Sequence, residues 1–454
     1  MTTAVLDTCS LPTSLAGERP LLPLVGADTA VPLVTGGSAR YADLDTAAST
    51  RALAVVADRV AEVLPLYASV HRGAGYLSQV STALYESARG AVADFVGAQA
   101  DDVCVFTRHT TDALNLLAGA VPPGASVLVL DCEHHADLLP WQRRGPATVL
   151  PVQATVTATL RALADELARG RHALLAVTGA SNVTGEALPL DEVVALAHAA
   201  GTRVAVDGAQ LVPHRRFSLA ATGADWVAFS GHKLYAPFGA GALVGRRDWL
   251  DAAPAHLAGG GAVQEVAVDD VVWSPAPHRH EGGSPNVLGA VALAEACAAL
   301  AALPDGALER HERALRERLV DGLGGLPGVC VLRIWADSAE PTGVVSFTVP
   351  GAAPGLVAAY LSAEHGIGVR DGRFCAHPLL ARLGVPEGAL RTSVGVGTTR
   401  ADVDRLLAAL DAFLSAGPRV TYTRRDGRWQ PADDPRPLAD PTALARGAGC
   451  GSPR

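Results

Sequence analysis

Long apolar runs and runs of basic residues are both scarce in this sequence. The most apolar stretch, residues 287–303, is rich in alanine, carries Glu295 and is too short for a confident membrane span, so we expect no membrane segment. The net charge is −9 and no cluster of lysine or arginine is present, which argues against a nucleic-acid partner. The N-terminal segment has no basic residue before Arg19 and no compact apolar core, so we do not expect a signal peptide.

Cysteine patterning is also missing. The chain has seven cysteines, an odd number, and none of them stands in a CxxC or Cys/His spacing. This pattern excludes a disulfide framework, favours reduced thiols in the cytoplasm, and gives no reason to expect zinc or another metal.

Apolar residues are abundant in this sequence, but they occur in short segments. Hydrophobic residues make up 49% of the 454 residues and charged residues only 18%, where about a quarter is usual. This composition is typical of an extensively buried α/β enzyme or of an oligomer with a wide interface.

Strand and helix patterns alternate over residues 41–304. Helical segments lie between short apolar runs that lack strict alternation, which predicts a mostly parallel sheet with helices on both faces. The last two runs are close enough for a hairpin-like return. The predicted strands are 126–131, 173–179, 203–207, 226–230 and 241–245, and the helix over residues 77–96 is predicted to place Leu77, Val80, Leu84, Ala88, Val92 and Phe95 on one face.

The ends of the chain differ from this middle part. Prolines interrupt residues 1–40, so we expect an irregular segment there. A charged helix follows residue 305 and leads into strands (among them "VLRIWA") and helices, which predicts a smaller α+β domain over 305–416. Residues 417–454 are polar and contain proline, and we expect an extended or disordered tail.

Polar side chains gather where the predicted parallel strands end. Asp207 ends one strand, and "CEHH", "GASN" and "SGHK" follow three others. The carboxyl ends of parallel strands share one edge of a sheet, where ligands bind. Lys233 in "SGHK" has two interpretations at this point: an ammonium that extends into solvent, or an amine that forms a Schiff base with a carbonyl cofactor.

This set of polar side chains at the strand ends matches the chemical needs of pyridoxal phosphate (PLP). A lysine holds its aldehyde, a carboxylate keeps its ring nitrogen protonated, and an imidazole stacks on the ring. Hydroxyl groups at a helix N-terminus bind its phosphate. Thr110 and Thr111 open the apolar helix in "HTTDALNLL" and supply that last feature.

Several motifs in order resemble the class V aminotransferase superfamily of PLP enzymes (fold type I), and most closely the SUF-type cysteine desulfurases. The resemblance covers residues 40–415. The motifs are "YADLDTAAST", "VHRGAGYLS", "VFTRHTTDALNLLA", "EHHADLLPW", "SNVTGEALPL", "VDGAQLVPH", "SGHKLYAPFGAGAL", "HEGGSPN", "GIGVRDGRFCAHPL" and "LRTSVGVGTT".

For the cofactor, the resemblance implies a Schiff base on Lys233. Asp207 would pair with the ring nitrogen, Gln210 with the phenolic oxygen, and His134 would stack on the ring. The phosphate would be held by Thr110, Thr111, Ser230 and His232, with Ser284 a candidate to reach it from a second subunit.

For the substrate, the resemblance implies that Asn182 and Arg391 bind the carboxylate of an amino acid. Arg370 and His71 stand in motifs that line the same pocket. A homodimer is implied, and a sulfur-acceptor protein is a candidate partner.

Cys375 stands where the desulfurases carry the cysteine that takes sulfur from the substrate and becomes a persulfide. By itself, a free cysteine is more often a small buried packing residue. The alternatives therefore include transamination, C–S lysis or epimerisation of another amino acid without use of Cys375. A binding protein with this fold and no activity is a further alternative, against which Lys233, Asp207 and His134 argue.

Overall fold

The computed structural model describes residues 16–71 and 73–437, and its elements follow the chain in regular alternation through the middle of the sequence. The helices are α1 (Ala54–Val63), α2 (Tyr76–Phe95), α3 (Thr110–Ala120), α4 (Leu139–Arg144), α5 (Val156–Arg169), α6 (Leu190–Ala199), α7 (Leu219–Thr222), α8 (Arg247–Ala252), α9 (Val287–Ala301), α10 (Ala307–Gly324), α11 (Pro354–His365), α12 (His377–Arg382) and α13 (Arg400–Ala416). The strands are β1 (Ala30–Pro32), β2 (Ser38–Arg40), β3 (Ala42–Asp43), β4 (Asp102–Thr107), β5 (Ser126–Leu130), β6 (Ala147–Leu150), β7 (His172–Thr178), β8 (Arg203–Asp207), β9 (Trp226–Ser230), β10 (Gly241–Arg246), β11 (Val263–Val266), β12 (Val271–Trp273), β13 (Cys330–Val331), β14 (Val344–Thr348), β15 (Ile367–Gly368), β16 (Arg370–Gly372), β17 (Ala389–Ser393), β18 (Tyr422–Arg425) and β19 (Arg428–Pro431).

The central sheet has seven strands in the order β4-β10-β9-β8-β7-β5-β6. Strands β5 to β9 run parallel to one another, and β10 lies between β9 and β4 and is antiparallel to both. All five residues of β9 are buried, which is why its apolar sequence shows no alternation. The mostly parallel α/β sheet and the hairpin-like return are confirmed.

Helices cover both faces of this sheet and enclose two apolar clusters. One cluster contains Val206, Val227 and Phe229, and the other contains Leu174, Ala205 and Trp226, so the strands divide their side chains between the two faces. The alanine-rich stretch forms α9, which is buried between helices and the sheet. In the described part of the chain, no helix has both the length and the hydropathy needed to cross a bilayer.

A second sheet, β13-β14-β17-β16, packs with α10, α11 and α13 around its own apolar cluster. The expected strand "VLRIWA" is wrong beyond Val331. The backbone N–H of Ile334 donates to the buried carboxylate of Glu186 at 2.6 Å, and the indole of Trp335 donates to Thr159 at 3.0 Å. The backbone N–H groups of Ile334 and Trp335 both donate to Glu186, which satisfies them in place of a strand partner, and the indole bond fixes the Trp335 side chain.

The buried face of α2 agrees with the expectation at Ala88 and Val92 but differs from it at Leu77. Leu77 is 41% exposed, whereas Tyr85 is 1% exposed and donates its hydroxyl to Glu281 at 2.9 Å. The helix is rotated toward its tyrosine because the partner carboxylate is supplied by a distant segment.

Both chain ends contain more regular structure than expected. Strands β1 and β2 pair within the segment expected to be irregular. Strands β18 and β19 form a hairpin against α11, so the expected extended tail is wrong for residues 417–437. Glu364 of α11 is buried and accepts from the backbone N–H of Arg419 and the hydroxyl of Tyr422, and these bonds hold the hairpin in place. Residues 1–15 and 438–454 lie outside the described residues.

Candidate active site

The carboxyl ends of β5, β7, β8 and β9 open into a cavity of about 510 Å³. Because these strands are parallel, the polar residues that follow them meet at one edge of the sheet. The cavity brings together most of the side chains singled out from the sequence: Thr110, Thr111, His134, Asn182, Asp207, Gln210, Ser230, His232, Lys233, Arg370, Cys375 and Arg391.

Lys233 lies at the end of a short 3-10 turn that follows β9. The turn can fold back tightly because residue 231 is glycine: a Cβ there would lie 2.7 Å from the carbonyl oxygen of Ala240 and 2.9 Å from that of Ala236. Burial lowers the pKa of the Lys233 amine to about 8, the nearby Asp207 opposes this shift, and Arg391 adds to it. About a tenth of this amine is therefore neutral and nucleophilic at pH 7.

Asp207 ends β8 and is 4% exposed. Its Oδ1 accepts from the backbone N–H of Ala209 at 2.9 Å. Burial raises the pKa of this carboxyl, and the backbone hydrogen bond and Lys233 oppose the rise. A cation placed in the cavity beside Asp207 would favour its ionised form.

Two further carboxyl groups, Glu133 and Asp137, are completely buried beside Asp207. Both side-chain oxygens of Glu133 lack a hydrogen-bond partner among the described residues, and so does Oδ2 of Asp137. Oδ1 of Asp137 accepts from the indole N–H of Trp141 at 3.2 Å. Burial raises the pKa of Glu133 to about 8, and it raises the pKa of Asp137 well above its usual range, with Glu133 adding to that rise. Such a pair holds at least one proton at neutral pH. Sequence reasoning missed this pair, although both residues stand in the quoted motif "EHHADLLPW".

Hydroxyl groups and a helix N-terminus meet at one end of the cavity. The backbone N–H of Thr110, the first residue of α3, donates to Oγ of Ser230 at 2.7 Å, and the two side-chain hydroxyls lie 2.6 Å apart. Burial lowers the pKa of His232 to about 4, so its imidazole is neutral there. Backbone N–H groups and hydroxyls at a helix N-terminus form a binding site for a phosphate or another small anion.

His134 and Gln210 also line the cavity. The imidazole of His134 accepts from the N–H of Ala136 at 3.0 Å, and burial lowers its pKa to about 3, so it is a neutral planar surface. The amide N–H of Gln210 donates to the carbonyl of Ala47 at 2.6 Å, and its buried Oε1 has no donor among the described residues.

Arg391 on β17 is a buried cation in the wall of the cavity, 4% exposed. Its guanidinium donates to the carbonyl of Asn182 at 3.0 Å and to Asp45 at 3.1 Å, and its Nε has no partner in the described part of the chain. Burial lowers the pKa of Arg391, and Asp45 opposes the shift. This donor set suits a substrate carboxylate. Asp45 was missed as its partner, although it stands in the quoted motif "YADLDTAAST".

Cys375 lies on a tight turn between β16 and α12. Phe374 and Cys375 both have left-handed backbone angles, with φ of 50° and 54°, an unusual pair for residues other than glycine. The carbonyl of Phe374 accepts from the amide of Asn182 at 2.7 Å, and the carbonyl of Cys375 accepts from the N–H of His135 at 2.9 Å. Phe374 is buried while Cys375 is exposed, so the turn is fixed by the protein and presents its thiol.

Two residues singled out from the sequence do not line this cavity in the single chain. His71 contacts Glu86 instead, with Nε2 2.8 Å from Oε1. With His278, these groups bring metal-ligand atoms within 4.8 Å of one another, but the Glu86 carboxylate already accepts from the guanidinium of Arg89 at 2.9 Å. Ser284 is exposed and outside the cavity, so its contribution to a second subunit stays a prediction.

The chain is similar to known proteins over most of its length. The family model described as "Aminotransferase class-V" matches residues 42–406. A cysteine desulfurase of Dickeya dadantii is 38% identical over 382 residues, which cover 81% of this chain and 90% of that protein. A probable cysteine desulfurase of Vibrio cholerae is 35% identical, over 83% and 94% of the two chains. The crystal structure of the cysteine desulfurase CsdA from Escherichia coli superposes with a TM-score of 0.74 at 35% identity, over 82% of this chain and 94% of that one.

Proposed function

The chain belongs to the class-V aminotransferase family, and we propose that it is a PLP-dependent cysteine desulfurase, which converts cysteine to alanine and leaves the sulfur on Cys375 as a persulfide. One observation carries the choice within the family: the Cys375 turn places a thiol in the wall of the cavity that also contains Lys233 and Arg391. Transamination has no use for this thiol.

The residues of the cavity fit PLP. Lys233 would hold its aldehyde, Asp207 its ring nitrogen, and the N-terminus of α3 with Ser230 its phosphate. Gln210, whose buried Oε1 has no partner among the described residues, lines the same cavity. When bound, PLP withdraws electrons from Cα of the amino acid and thereby weakens the bonds to groups on its Cβ.

Arg391 and Asn182 would orient the substrate. Nε of Arg391 lacks a partner within the described residues, and a carboxylate is the ligand that a buried guanidinium binds most tightly. The carboxylate of cysteine bound there leaves the remainder of the molecule inside the same cavity as Lys233 and Cys375. Lys233, once its amine is free, can take the proton from Cα because its lowered pKa keeps part of it unprotonated.

The thiol of Cys375 then takes the sulfur. Its thiolate attacks the sulfur of the substrate, a new S–S bond forms, and the Cβ–S bond breaks. Cβ gains the proton that completes alanine, and Cys375 carries the added sulfur. Cysteine and one enzyme thiol thus give alanine and one enzyme persulfide, with no external oxidant or reductant.

We also propose that the protein acts as a homodimer in a reducing cytoplasm and passes its sulfur to an acceptor. Ser284 lies outside the cavity of its own chain, which is compatible with a role in a second one. The hairpin β11–β12 exposes valines, among them Val268, that a second subunit could cover. The cysteines in the described residues are all free thiols.

The test is to incubate the protein with cysteine and to measure alanine, pyruvate and bound sulfur together. The wild type should release alanine, and the peptide containing Cys375 should gain the mass of one sulfur atom. Cys375→Ala should lose both signals. Cys330→Ala, which removes another exposed thiol on β13, should keep both. Pyruvate with sulfide would identify a C–S lyase instead, and full alanine release by Cys375→Ala would rule out the persulfide route.

A further inference from the structure

Three side chains that carry metal-ligand atoms converge outside the cavity described above. They are His71, Glu86 on α2, and His278 in the short turn His278–His280, and one ligand atom of each lies within 4.8 Å of those of the other two. None of the three lines the cavity that contains Lys233. Because the three positions are far apart in the chain, no local spacing in the sequence predicts this group.

The distances within the group are close to those of a coordination sphere. Nε2 of His71 lies 2.8 Å from Oε1 of Glu86, and the rings of His71 and His278 stand edge to face with their centres 5.2 Å apart. Around a tetrahedral Zn²⁺ with ligands at about 2.0–2.1 Å, neighbouring ligand atoms lie about 3.3 Å apart. The differences from this value are small enough for side-chain rotations to close.

The backbone of His71 is fixed where such a site needs it. His71 has a left-handed backbone angle, with φ of 62°, and its N–H donates to Oγ1 of Thr82 on α2 at 2.9 Å. Thr82 and Glu86 are one helical turn apart on the same face of α2, so this bond places the imidazole of His71 beside the carboxylate. Backbone conformations of this kind cluster at functional sites, where the surrounding structure holds them.

The charges around the group leave one carboxylate available for a cation. The guanidinium of Arg89 forms a bidentate pair with Glu281 at 2.7 and 2.8 Å, and the side chain of Glu281 is only 6% exposed. The hydroxyl of Tyr85 and the backbone N–H of Phe106 also donate to Glu281. Glu281 thus balances the charge of Arg89, and the carboxylate of Glu86 is a surplus negative charge.

Arg89 orients Glu86 without excluding a metal ion. Its Nε donates to Oε2 of Glu86 at 2.9 Å, whereas His71 faces Oε1, which receives only a longer bond of 3.2 Å from Nη2 of Arg89. A metal ion on Oε1 keeps the Nε–Oε2 bond, and outer hydrogen bonds of this kind commonly orient ligating carboxylates. Two imidazoles and one carboxylate leave the fourth position of Zn²⁺ open to water or another small ligand.

We propose that His71, Glu86 and His278 bind Zn²⁺, and that the ion ties the segment around His71 to α2 and to the turn at His278–His280. Imidazole ligands favour such a transition-metal ion over Mg²⁺ and Ca²⁺, which prefer oxygen. The site is separate from the desulfurase chemistry proposed above and does not depend on it.

The experiment measures Zn²⁺ binding to the purified protein, freed of metal by a chelator, in competition with a chromophoric chelator. The wild type should bind Zn²⁺ and should not bind Mg²⁺ at the same concentration. His71→Ala and His278→Ala should each weaken Zn²⁺ binding by at least about tenfold, the loss that even an outer-shell change can cause. Glu86→Gln, which keeps an oxygen for Arg89, should weaken it as well. Cys375→Ala should retain the binding, which separates this site from the exposed thiol.

His198→Asn is the matched control, because His198 is a partly exposed histidine of α6 that contacts Asp225 instead, and its Zn²⁺ binding should equal that of the wild type. X-ray absorption of Cys375→Ala loaded with Zn²⁺ should show nitrogen or oxygen at about 2.0–2.1 Å and no sulfur at about 2.3 Å. Zn²⁺ should also raise the Tm of the wild type more than that of His71→Ala, since an ion that binds the folded state stabilises it.

Three results would overturn the inference: a wild type that does not bind Zn²⁺, binding that is unchanged in all three ligand variants, or a zinc–sulfur bond in Cys375→Ala. None of them bears on alanine release or on the persulfide of Cys375, so the proposed function is tested separately.

Discussion

The buried pair of Glu133 and Asp137 makes a quantitative prediction about stability. Burial raises the pKa of Glu133 from 4.5 to about 8. At about 1.36 kcal/mol per pKa unit, this rise corresponds to about 5 kcal/mol of folding free energy. We therefore expect Glu133→Gln, which keeps the shape and removes the ionisation, to change how stability depends on pH.

The direction follows from where the proton is held. Between the unfolded pKa of 4.5 and the folded pKa of about 8, the folded protein keeps a proton that the unfolded chain has released. The wild type should therefore lose stability as pH rises through this window, by up to about 1.4 kcal/mol per pH unit for this group. Above the folded pKa both states are ionised and the dependence ends. In Glu133→Gln the neutral amide can donate to Asp137, and this part of the slope should vanish.

Urea unfolding between about pH 5 and 8 measures the effect as a difference between variant and wild type. Asp131 and Asp207 also act on Glu133 and are present in both proteins. The pKa of Asp137 is raised partly by Glu133, so the measured difference reports the titration of the pair rather than of Glu133 alone. Glu62→Gln is the control, because Glu62 is an exposed residue of α1 whose side chain is 67% accessible. A stability difference between Glu133→Gln and wild type that stays constant across this window would refute the shared-proton interpretation.

Three further predictions concern the cavity. Lys233→Ala should lose the covalent attachment of PLP. Borohydride reduction followed by peptide mapping should find a pyridoxyl label on Lys233 in the wild type and none in the variant. A label on another lysine would refute the assignment. Asp207→Asn should retain PLP but lose most of its turnover, because the ring nitrogen is no longer held protonated, and unchanged turnover with cysteine would make Asp207 purely structural. Arg391→Lys should raise the KM for cysteine by about ten- to hundredfold through loss of a charged hydrogen bond in a buried site, with a smaller change in kcat; an unchanged KM would exclude Arg391 from carboxylate binding.

Local sequence patterns were enough to predict five of the seven strands of the central sheet, but β4 and β6 were missed. The strand at residues 226–230 and its hairpin-like return were expected from two short apolar runs that lie close together in the sequence, and β9 and β10 occupy those positions. A strand buried on both faces must be apolar at nearly every position, so its sequence identifies it without knowledge of its neighbours. The clustering of Asp207, His134 and Lys233 was also predictable, because the ends of parallel strands meet by topology alone.

Residues whose role depends on a distant partner could not be read in this way. Glu133 was visible as part of a motif, but only the fold shows that its carboxyl is buried against that of Asp137. The hairpin after residue 417 looked polar and unstructured, yet Glu364 supplies a buried acceptor for its backbone and Tyr422. The partner of the hairpin is distant in the chain, whereas Glu133 and Asp137 are close in sequence and only their burial is decided by the fold.

The sequence by itself determined the type of fold and the identity of the reactive groups, since apolar periodicity and residue chemistry are local properties. The tertiary structure decided which of these groups share protons, which are already hydrogen-bonded to other residues, and which line the cavity. Cys375 shows the difference most clearly. Its motif predicted a nucleophile, but only the hydrogen bonds from Asn182 and His135 to its turn place the thiol in the wall of the cavity that contains Lys233. Distances and exclusion of water arise from contacts between remote segments, and no local pattern encodes them.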